Sequence, residues 1–337
     1  KKTYLVVGSS IANGYDSTLP NPSAPASHYS FADMMREDYI KASYKFYKDT
    51  LQSKENIYMR RIEDKSTEEN KFAGIYRYYE DIITLNADYT GSFNDDTFEY
   101  EVVRNHISLK SPKGYLYNFE ADFYNGDKVY KYAQDGYTLT DYSPRYVSSG
   151  QVNPQASYVR LMQKAINEHA NDHIDTFIFQ LSTNDAGQYK DSACTQLVDL
   201  GTIQPNDKMS SEDFDVNTSF GALEWLIAIA KETWNCNVIL FTCHMSTSEY
   251  ATYKANNYDE TKVTTQYRDM YDGALQACAK WGISCVNFWA DKDVNIAIHE
   301  DAATCLADTL HLHQMGYEKV YLQYFRKLLE QLYKEEK

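Results

Sequence analysis

The chain has 337 residues, enough for one large domain or two small ones, and its 43% hydrophobic and 24% charged residues are typical of a globular protein. A formal net charge of −15 provides no net positive field to attract phosphates, which argues against nucleic acid as a partner. The sequence contains no apolar run of about 18 residues, so we predict no membrane-spanning segment.

Tyrosine and cysteine are the informative residue types. The 31 tyrosines combine a flat apolar face with a hydroxyl, which suits a sugar-binding cleft, although a compositional bias of the source explains the number equally well. None of the six cysteines forms a C-x-x-C pair, so there is no zinc or thioredoxin signature, and disulfides are neither required nor excluded. The chain starts at Lys1 without a methionine, which suggests a removed segment and leaves the compartment open between cytoplasmic and secreted.

The first predicted element is a buried strand. Tyr4 to Val7 are apolar or aromatic, the run ends at Gly8, and Ser9 and Ser10 follow at once. A loop rich in proline and serine over 17–27 leads to a predicted helix over 28–47.

The segment 46–125 differs in character from the rest. It is charged and rich in tyrosine, it alternates between apolar and polar residues over 97–102 and 115–119, and it has turn signals at Thr90-Gly91 and Asn125-Gly126. We interpret it as an inserted α+β subdomain or cap. The core is then formed by 1–45 and 126–337, within a single domain over 1–337.

Strands and helices alternate in the remainder of the chain. Strands are predicted over 129–133, 175–181, 237–243 and 283–288, and helices over 154–170, 219–234, 260–281 and 313–333. Together with the first strand, this pattern predicts an α/β fold: a five-stranded parallel sheet with helices on both faces, in three αβα layers. Catalytic groups are then expected at the carboxyl ends of the strands.

Ser10 is the candidate nucleophile, because it presents a hydroxyl where the first strand ends. A serine at this place also serves as an ordinary helix cap. Near the other end of the chain, Asp308 stands three residues before His311, so the carboxylate can accept the imidazole Nδ1–H and leave Nε2 free to take a proton from a serine. The alternatives for His311 are a helix-capping role and a metal pair with His313, which no carboxylate cluster accompanies.

An acyl-transfer site also needs donors for the developing oxyanion. Asn184 follows a buried strand, Gly136 offers a backbone N–H without a side chain in the way, and the N–H of Ser10 is a third candidate. Asn184 alone would be only a turn residue.

Four blocks in this order resemble those of the SGNH hydrolase superfamily, also called GDSL esterases. They are GSSI at 8–11, AQDGYTLTD at 133–141, LSTND at 181–185, and DTLH at 308–311 followed by Gly316-Tyr317. The resemblance spans 1–45 and 126–337 and implies a flavodoxin-like sheet fold. For the second block, Gly150 in VSSGQ is the alternative to Gly136.

The resemblance implies Ser10 as nucleophile, Asp308 and His311 as the rest of a triad, and Ser10, Gly136 and Asn184 as the oxyanion hole. Two positions depart from the family pattern: Ser9 stands where Asp is common, and Ser182 stands where Gly is common two residues before the Asn. The second departure concerns the geometry of the Asn184 loop. Further residues expected beside the substrate are Ser9, Tyr137, Asp185, which also braces the Asn184 turn, and His244, for which a structural role is the alternative.

The sequence therefore predicts a serine esterase that removes acetyl groups from carbohydrate, with a small-molecule or oligosaccharide ester as substrate and with neither cofactor nor metal. The alternatives are an esterase for lipid or short-chain acyl groups and a non-catalytic carbohydrate-binding protein on a hydrolase scaffold. The acyl group, the sugar, the regiochemistry and the oligomeric state are left open.

Overall fold

The computed structural model describes residues 1–19, 21–22, 28–94, 96–112, 114–123, 126–145, 161–185, 198–265 and 267–334. The chain divides into two compact units. The first comprises Lys1 and Asp33–Lys128, and the second comprises Lys2–Ala32 and Val129–Lys337. Within the described ranges, no helix combines the length and the apolar character needed to cross a membrane.

The chain begins with β1 (Thr3–Gly8), α1 (Ser10–Asn13) and α2 (Phe31–Met34). The first unit then contains eight strands: β2 (Tyr39–Tyr47), β3 (Leu51–Asp64), β4 (Gly74–Tyr78), β5 (Asp81–Leu85), β6 (Thr90–Phe93), β7 (Asp96–Val103), β8 (His106–Pro112) and β9 (Leu116–Phe123).

These eight strands form a closed antiparallel barrel. Each strand pairs with the next along the chain, and β9 returns to pair with β2 from Ile40↔Phe123 to Phe46↔Leu116. Period-two alternation places one set of side chains inside, as with Ile40, Ala42 and Tyr44 on β2. The interior is filled by aromatic and aliphatic side chains, as expected for a barrel of this strand number.

The predicted fold class, a three-layer flavodoxin-like SGNH fold with an α+β insertion, is therefore wrong. The described part of 46–125 consists of barrel strands and their connections. The helix predicted over 28–47 is also wrong: only Phe31–Met34 are helical, and β2 occupies the second half of that range. The reason is that apolar and polar residues alternate from Ile40 to Phe46, and this period of two buries one face when the segment pairs as a strand with β3 and β9.

The second unit continues with the elements β10 (Lys128–Ala133), α3 (Leu139–Tyr142), α4 (Gln163–His169), β11 (Thr176–Leu181), α5 (Ser219–Trp234), β12 (Asn237–Thr242), α6 (Thr247–Ala255), α7 (Arg268–Trp281), β13 (Ser284–Val286), α8 (Lys292–His299), α9 (Ala302–Cys305), α10 (Gln314–Gly316) and α11 (Gln323–Lys334). A π-helical segment, Tyr317–Leu322, joins the last two helices.

Five of the strands form one sheet in the order β10-β1-β11-β12-β13. They coincide with the five segments predicted as sheet strands. The pairs β1/β11, β11/β12 and β12/β13 are parallel, with Val7 opposite Phe179 and Phe179 opposite Leu240. The carboxyl ends of β1 and β11 therefore lie side by side, and Ser9 and Ser182 follow these ends directly.

Both faces of the sheet are covered by apolar side chains from helices. On one face, strand residues such as Phe179 and Leu240 pack in one cluster with residues of α5 and α7. On the other face, the Phe241 ring meets the rings of Phe31 and Phe325, each at a centroid distance of 5.4 Å. Burial on both faces explains why the strands read as continuous apolar runs.

Candidate active site

Ser10 is the first residue of α1, held close to the end of β1 by Gly8 and Gln180. A Cβ on Gly8 would lie 2.6 Å from the Ala12 Cβ and 2.7 Å from the Gln180 Cβ, so only glycine permits this approach. The Gln180 Oε1 accepts the backbone N–H groups of Ser9 and Ala12, each at 3.0 Å. A side chain of β11 thus fixes the start of the helix that carries the candidate nucleophile.

The helix-cap interpretation of the two serines does not describe this turn. Ser9 occupies the N-cap position of α1 but makes no side-chain cap hydrogen bond. Its hydroxyl instead donates to the Ser182 hydroxyl oxygen at 2.7 Å. Ser182 in turn accepts the backbone N–H of Asn184 at 3.1 Å, so the serine two residues before Asn184 supports the Asn184 turn.

Ser10, His311 and Asp308 form a continuous hydrogen-bonded chain. The Ser10 Oγ lies 3.0 Å from the His311 Nε2, and the His311 Nδ1 lies 2.8 Å from the Asp308 Oδ2. Because a carboxylate only accepts, the proton of the neutral ring sits on Nδ1 and leaves Nε2 to accept from Ser10. Ser10 and His311 are half-buried, and the Asp308 side chain is 34% exposed.

Asp308 is held as a carboxylate by its neighbours. Burial raises its pKa, but the backbone N–H groups of Leu310 and His311, the His311 ring and the Ser17 hydroxyl outweigh burial and lower the pKa to about 2. The two backbone bonds reach Oδ1 at 2.8 Å and 2.7 Å. The group that orients His311 is therefore ionised throughout the neutral pH range.

His313 does not join His311 in a metal-binding arrangement. Its Nδ1 lies 2.8 Å from the Asp16 Oδ2, while both ring nitrogens of His311 face Ser10 and Asp308. The two histidines thus point to different partners. His311 is also outside the cap of α10, whose N-cap residue is His313.

Two of the three candidate oxyanion donors, Asn184 and Gly136, lie on turns that are joined by a hydrogen bond, and the third, the Ser10 N–H, is on α1. Asn184 sits in a 3-10 turn directly after β11, and its Nδ2 donates one hydrogen to the Tyr137 carbonyl oxygen at 3.2 Å. An amide nitrogen carries two hydrogens, so the second is available to another acceptor. Gly136 precedes Tyr137 and has φ 77°, a left-handed conformation that glycine adopts without strain. The alternative donor, Gly150, lies outside the described residues.

Asp185 joins the turns that carry Gly136 and Asn184. Its Oδ1 accepts the Leu139 N–H at 2.8 Å, and its Oδ2 accepts the Ser182 N–H at 3.2 Å. Burial, with a contribution from the nearby Asp141, raises the pKa of Asp185 to about 8 despite these two bonds. This buried carboxyl thus connects the turn after β10 with the turn after β11.

The four residues expected beside the substrate are all buried in this structure: Ser9, Tyr137, Asp185 and His244. His244 has no exposed surface; its Nε2–H donates to the Leu310 carbonyl at 2.7 Å, and its Nδ1 accepts from the Tyr321 hydroxyl at 2.8 Å. Burial lowers the pKa of His244 to about 3, so the ring is neutral. Through its hydrogen bond to the Leu310 carbonyl, His244 stabilises the loop between Asp308 and His311.

Sequence reasoning missed four residues that support the candidate site or its neighbouring turns: Gln180, Tyr15, Asp16 and Ser17. The Tyr15 ring lies edge-on to the His311 ring with centroids 4.9 Å apart, and the Ser17 hydroxyl donates to the Asp308 Oδ2 at 2.8 Å. These are single polar or aromatic residues outside any motif, so the sequence carries no signal that would have identified them.

No model of a known protein family matches the chain, and no curated protein matches it. Solved structures resemble it distantly. A protein from Lactobacillus plantarum is 19% identical over 61% of this chain and 83% of its own, with a TM-score of 0.40. Another solved structure is 11% identical over 98% of both chains, with a TM-score of 0.42. A gut microbial diltiazem-metabolizing enzyme is 13% identical over 58% of this chain and 39% of its own, with a TM-score of 0.26. Similarities this low carry no functional argument, so function rests on the geometry of the site.

Proposed function

We propose that this chain is a serine ester hydrolase with Ser10 as nucleophile, His311 as general base and Asp308 as the group that orients His311. The observation that carries the proposal is the chain of contacts at 3.0 Å and 2.8 Å through the three side chains. This arrangement of nucleophile, base and orienting carboxylate is the one that acyl transfer needs. The block-by-block resemblance to SGNH hydrolases supports the same roles.

In the proposed reaction, His311 Nε2 takes the hydroxyl proton while Ser10 Oγ attacks the ester carbonyl carbon. The N–H groups of Ser10 and Gly136 and the second amide hydrogen of Asn184 stabilise the oxyanion. His311 then gives the proton to the leaving alcohol, which leaves an acyl group on Ser10. Water, deprotonated by His311, attacks the acyl carbon. The bond between that carbon and Ser10 Oγ then breaks, His311 returns the proton to Ser10 Oγ, and the acid is released.

The first test is the variant Ser10→Ala with p-nitrophenyl acetate as substrate. Because the variant removes the attacking oxygen and leaves the fold unchanged, we expect turnover to fall by a factor of about 10³ or more. Wild-type protein should also be labelled at Ser10 by a fluorophosphonate, with the labelled peptide identified by mass spectrometry. Retained hydrolysis in the variant would refute the proposal, and an unreactive wild type would favour a binding protein on a hydrolase scaffold.

For the substrate, we propose acetyl groups on carbohydrate. Two observations support this choice: the triad side chains are only partly buried, so a bulky substrate can reach them, and the sequence is rich in tyrosine, whose rings stack on sugars. A long acyl chain would instead require an extended apolar groove.

The substrate proposal predicts a clear order of rates. Acetate should be released from acetylated xylan or mannan faster, by about tenfold or more in kcat/KM, than acid is released from p-nitrophenyl esters of long-chain fatty acids. The measurement is acetate release by coupled assay against nitrophenol release, with Ser10→Ala as the blank for both. Equal rates on the two classes would contradict the carbohydrate preference while leaving the esterase assignment in place.

A further inference from the structure

The turn that follows α1 contacts the segment 308–313 at consecutive residues. The Tyr15 ring meets the His311 ring edge-on at 4.9 Å between centroids. Two residues later, the Ser17 hydroxyl donates to the Asp308 Oδ2 at 2.8 Å. This turn begins directly after α1, the helix that carries the proposed nucleophile Ser10. One short segment, from Ser10 to Ser17, therefore contacts both His311 and Asp308.

Asp16, between these two residues, gives the turn its shape. It is 5% exposed, and its Oδ1 accepts the backbone N–H of Thr18 at 2.9 Å and the Thr18 hydroxyl at 2.6 Å. Its other oxygen lies 2.8 Å from the His313 Nδ1. The turn that carries Ser17 is therefore stabilised by the hydrogen bonds between Asp16 and Thr18, and it is held against the segment 308–313 by the contact of Asp16 with His313.

Asp308 receives four hydrogen bonds within the described part of the chain. Its Oδ1 accepts the N–H groups of Leu310 and His311, and its Oδ2 accepts the His311 ring and the Ser17 hydroxyl. Three of these donors lie within three residues of Asp308 along the chain. The fourth donor, Ser17, is distant from Asp308 in sequence. Its hydroxyl and the His311 Nδ1 both bond to Oδ2, so Ser17 contacts the oxygen that orients the His311 ring.

We propose that Ser17 is a positioning residue: its hydroxyl holds the Asp308 carboxylate in the orientation that aims His311 at Ser10. This inference rests on the proposed ester hydrolysis and adds a residue to it. Ser17 touches neither Ser10 nor a reacting atom, so it acts through Asp308. Its contribution is moderate, because the Asp308 side chain is 34% exposed and water replaces part of a lost bond.

The hydroxyl also affects proton transfer. When a carboxylate loses one hydrogen-bond donor, its negative charge interacts more strongly with the donors that remain. Without the Ser17 hydroxyl, Asp308 therefore stabilises the protonated form of the His311 ring more strongly. The other titratable groups that face the Asp308–His311 pair in the described chain are Tyr15, the Asp16–His313 pair and, behind Leu310, the neutral His244. Removal of the Ser17 hydroxyl leaves these groups in place, so its effect on the pH profile can be isolated.

The experiment compares Ser17→Ala, Ser17→Thr and the control Ser108→Ala. Ser108 donates to the exposed Glu101 at 3.3 Å in the barrel unit, so its variant removes a similar hydroxyl-to-carboxylate bond. The readouts are kcat and KM on p-nitrophenyl acetate and the pH dependence of fluorophosphonate labelling at Ser10. For Ser17→Ala we expect kcat to fall about tenfold with KM within about twofold, the scale of one bond to a partly exposed charge. For Ser17→Ala we also expect the acid limb of the plot of labelling rate against pH to move to higher pH. Ser17→Thr and Ser108→Ala should have the kcat, the KM and the labelling profile of wild type.

Two results would overturn the inference alone. One is a Ser17→Ala variant with wild-type kcat and an unshifted labelling profile. The other is a slow Ser17→Ala variant that Ser17→Thr does not restore, because the shape of the turn and not the hydroxyl would then be responsible. If wild-type protein is not labelled at Ser10 at all, the proposed function fails, and the role of Ser17 fails with it.

Discussion

At the scale of single residues, the site combines an ionised carboxylate with a neutral histidine held behind it. Asp308 is kept charged by donors on both of its oxygens. His244 is kept neutral by complete burial, and its hydrogen bond to the Leu310 carbonyl supports the loop that carries Asp308 and His311. The buried, neutral His244 ring therefore stabilises this loop by a hydrogen bond without placing a charge beside Asp308 and His311.

His244 makes the stability of the second unit sensitive to acid. The unfolded chain binds a proton on this ring near the ordinary pKa of 6.5, whereas the folded chain does so only at about 3. Between these values the unfolded state binds more protons on this residue, so the contribution of His244 to the free energy of unfolding falls as pH falls, by roughly 2 kcal/mol between pH 7.5 and pH 5. His244→Gln does not titrate, so on the same acidification the free energy of unfolding of wild type should fall relative to that of this variant by about this amount.

The measurement is urea unfolding at pH 7.5 and pH 5, followed by tryptophan fluorescence. All four tryptophans, Trp225, Trp234, Trp281 and Trp289, belong to the second unit, so the signal reports that unit alone. His173→Gln is the control, because that histidine side chain is 83% exposed. An equal loss on acidification in wild type and His244→Gln would contradict the expectation.

At the scale of elements, the site depends on how closely α1 packs against the sheet. β1 ends at a glycine that leaves no room for a Cβ between α1 and β11. The five sheet strands could be predicted from sequence because each is a short apolar run bounded by turn residues. α6 and α8 were not predicted, because they are short: their 9 and 8 residues give a helical pattern fewer turns in which to repeat than the 16 residues of α5.

Gly8→Ala tests this close packing. The added methyl would meet Ala12 and Gln180 at 2.6–2.9 Å and push α1 away from β11, so Ser10 would lose its alignment with His311. We expect kcat/KM on p-nitrophenyl acetate to fall by about 10²-fold, the effect of a displacement of about 1 Å.

Gly282→Ala is the matched control for this variant. Gly282 has φ 59° with nothing within 4 Å of an added Cβ, so alanine there costs about 1 kcal/mol of backbone strain without displacing the site. Both variants should melt at a lower temperature, but only Gly8→Ala should lose activity. Wild-type activity in Gly8→Ala would show that the position of Ser10 tolerates the displacement.

At the scale of the whole molecule, the largest difference between prediction and structure is the barrel. Its alternating pattern was recognised in places as half-exposed strands, but closure requires β2 to pair with β9 across more than seventy residues of chain. Local patterns do not specify such a partner. The tyrosines that fill the interior stand either in the segment predicted as a helix, as Tyr44 does, or in the charged segment, as Tyr76 does. An α+β insertion was therefore predicted where a closed all-β unit is found.

The sequence by itself determined which side chains are candidates for acyl-transfer chemistry, and that two of them, Ser10 and Asn184, follow the ends of buried strands. Those features are local: a strand that ends at Gly8 before a serine, an asparagine after a buried strand, and a carboxylate three residues before a histidine. Only the tertiary structure decided that Ser10 and His311, 301 residues apart, meet at 3.0 Å, and that Ser17 reaches Asp308. Contacts of this kind depend on strand order and close packing, which no short stretch of sequence encodes.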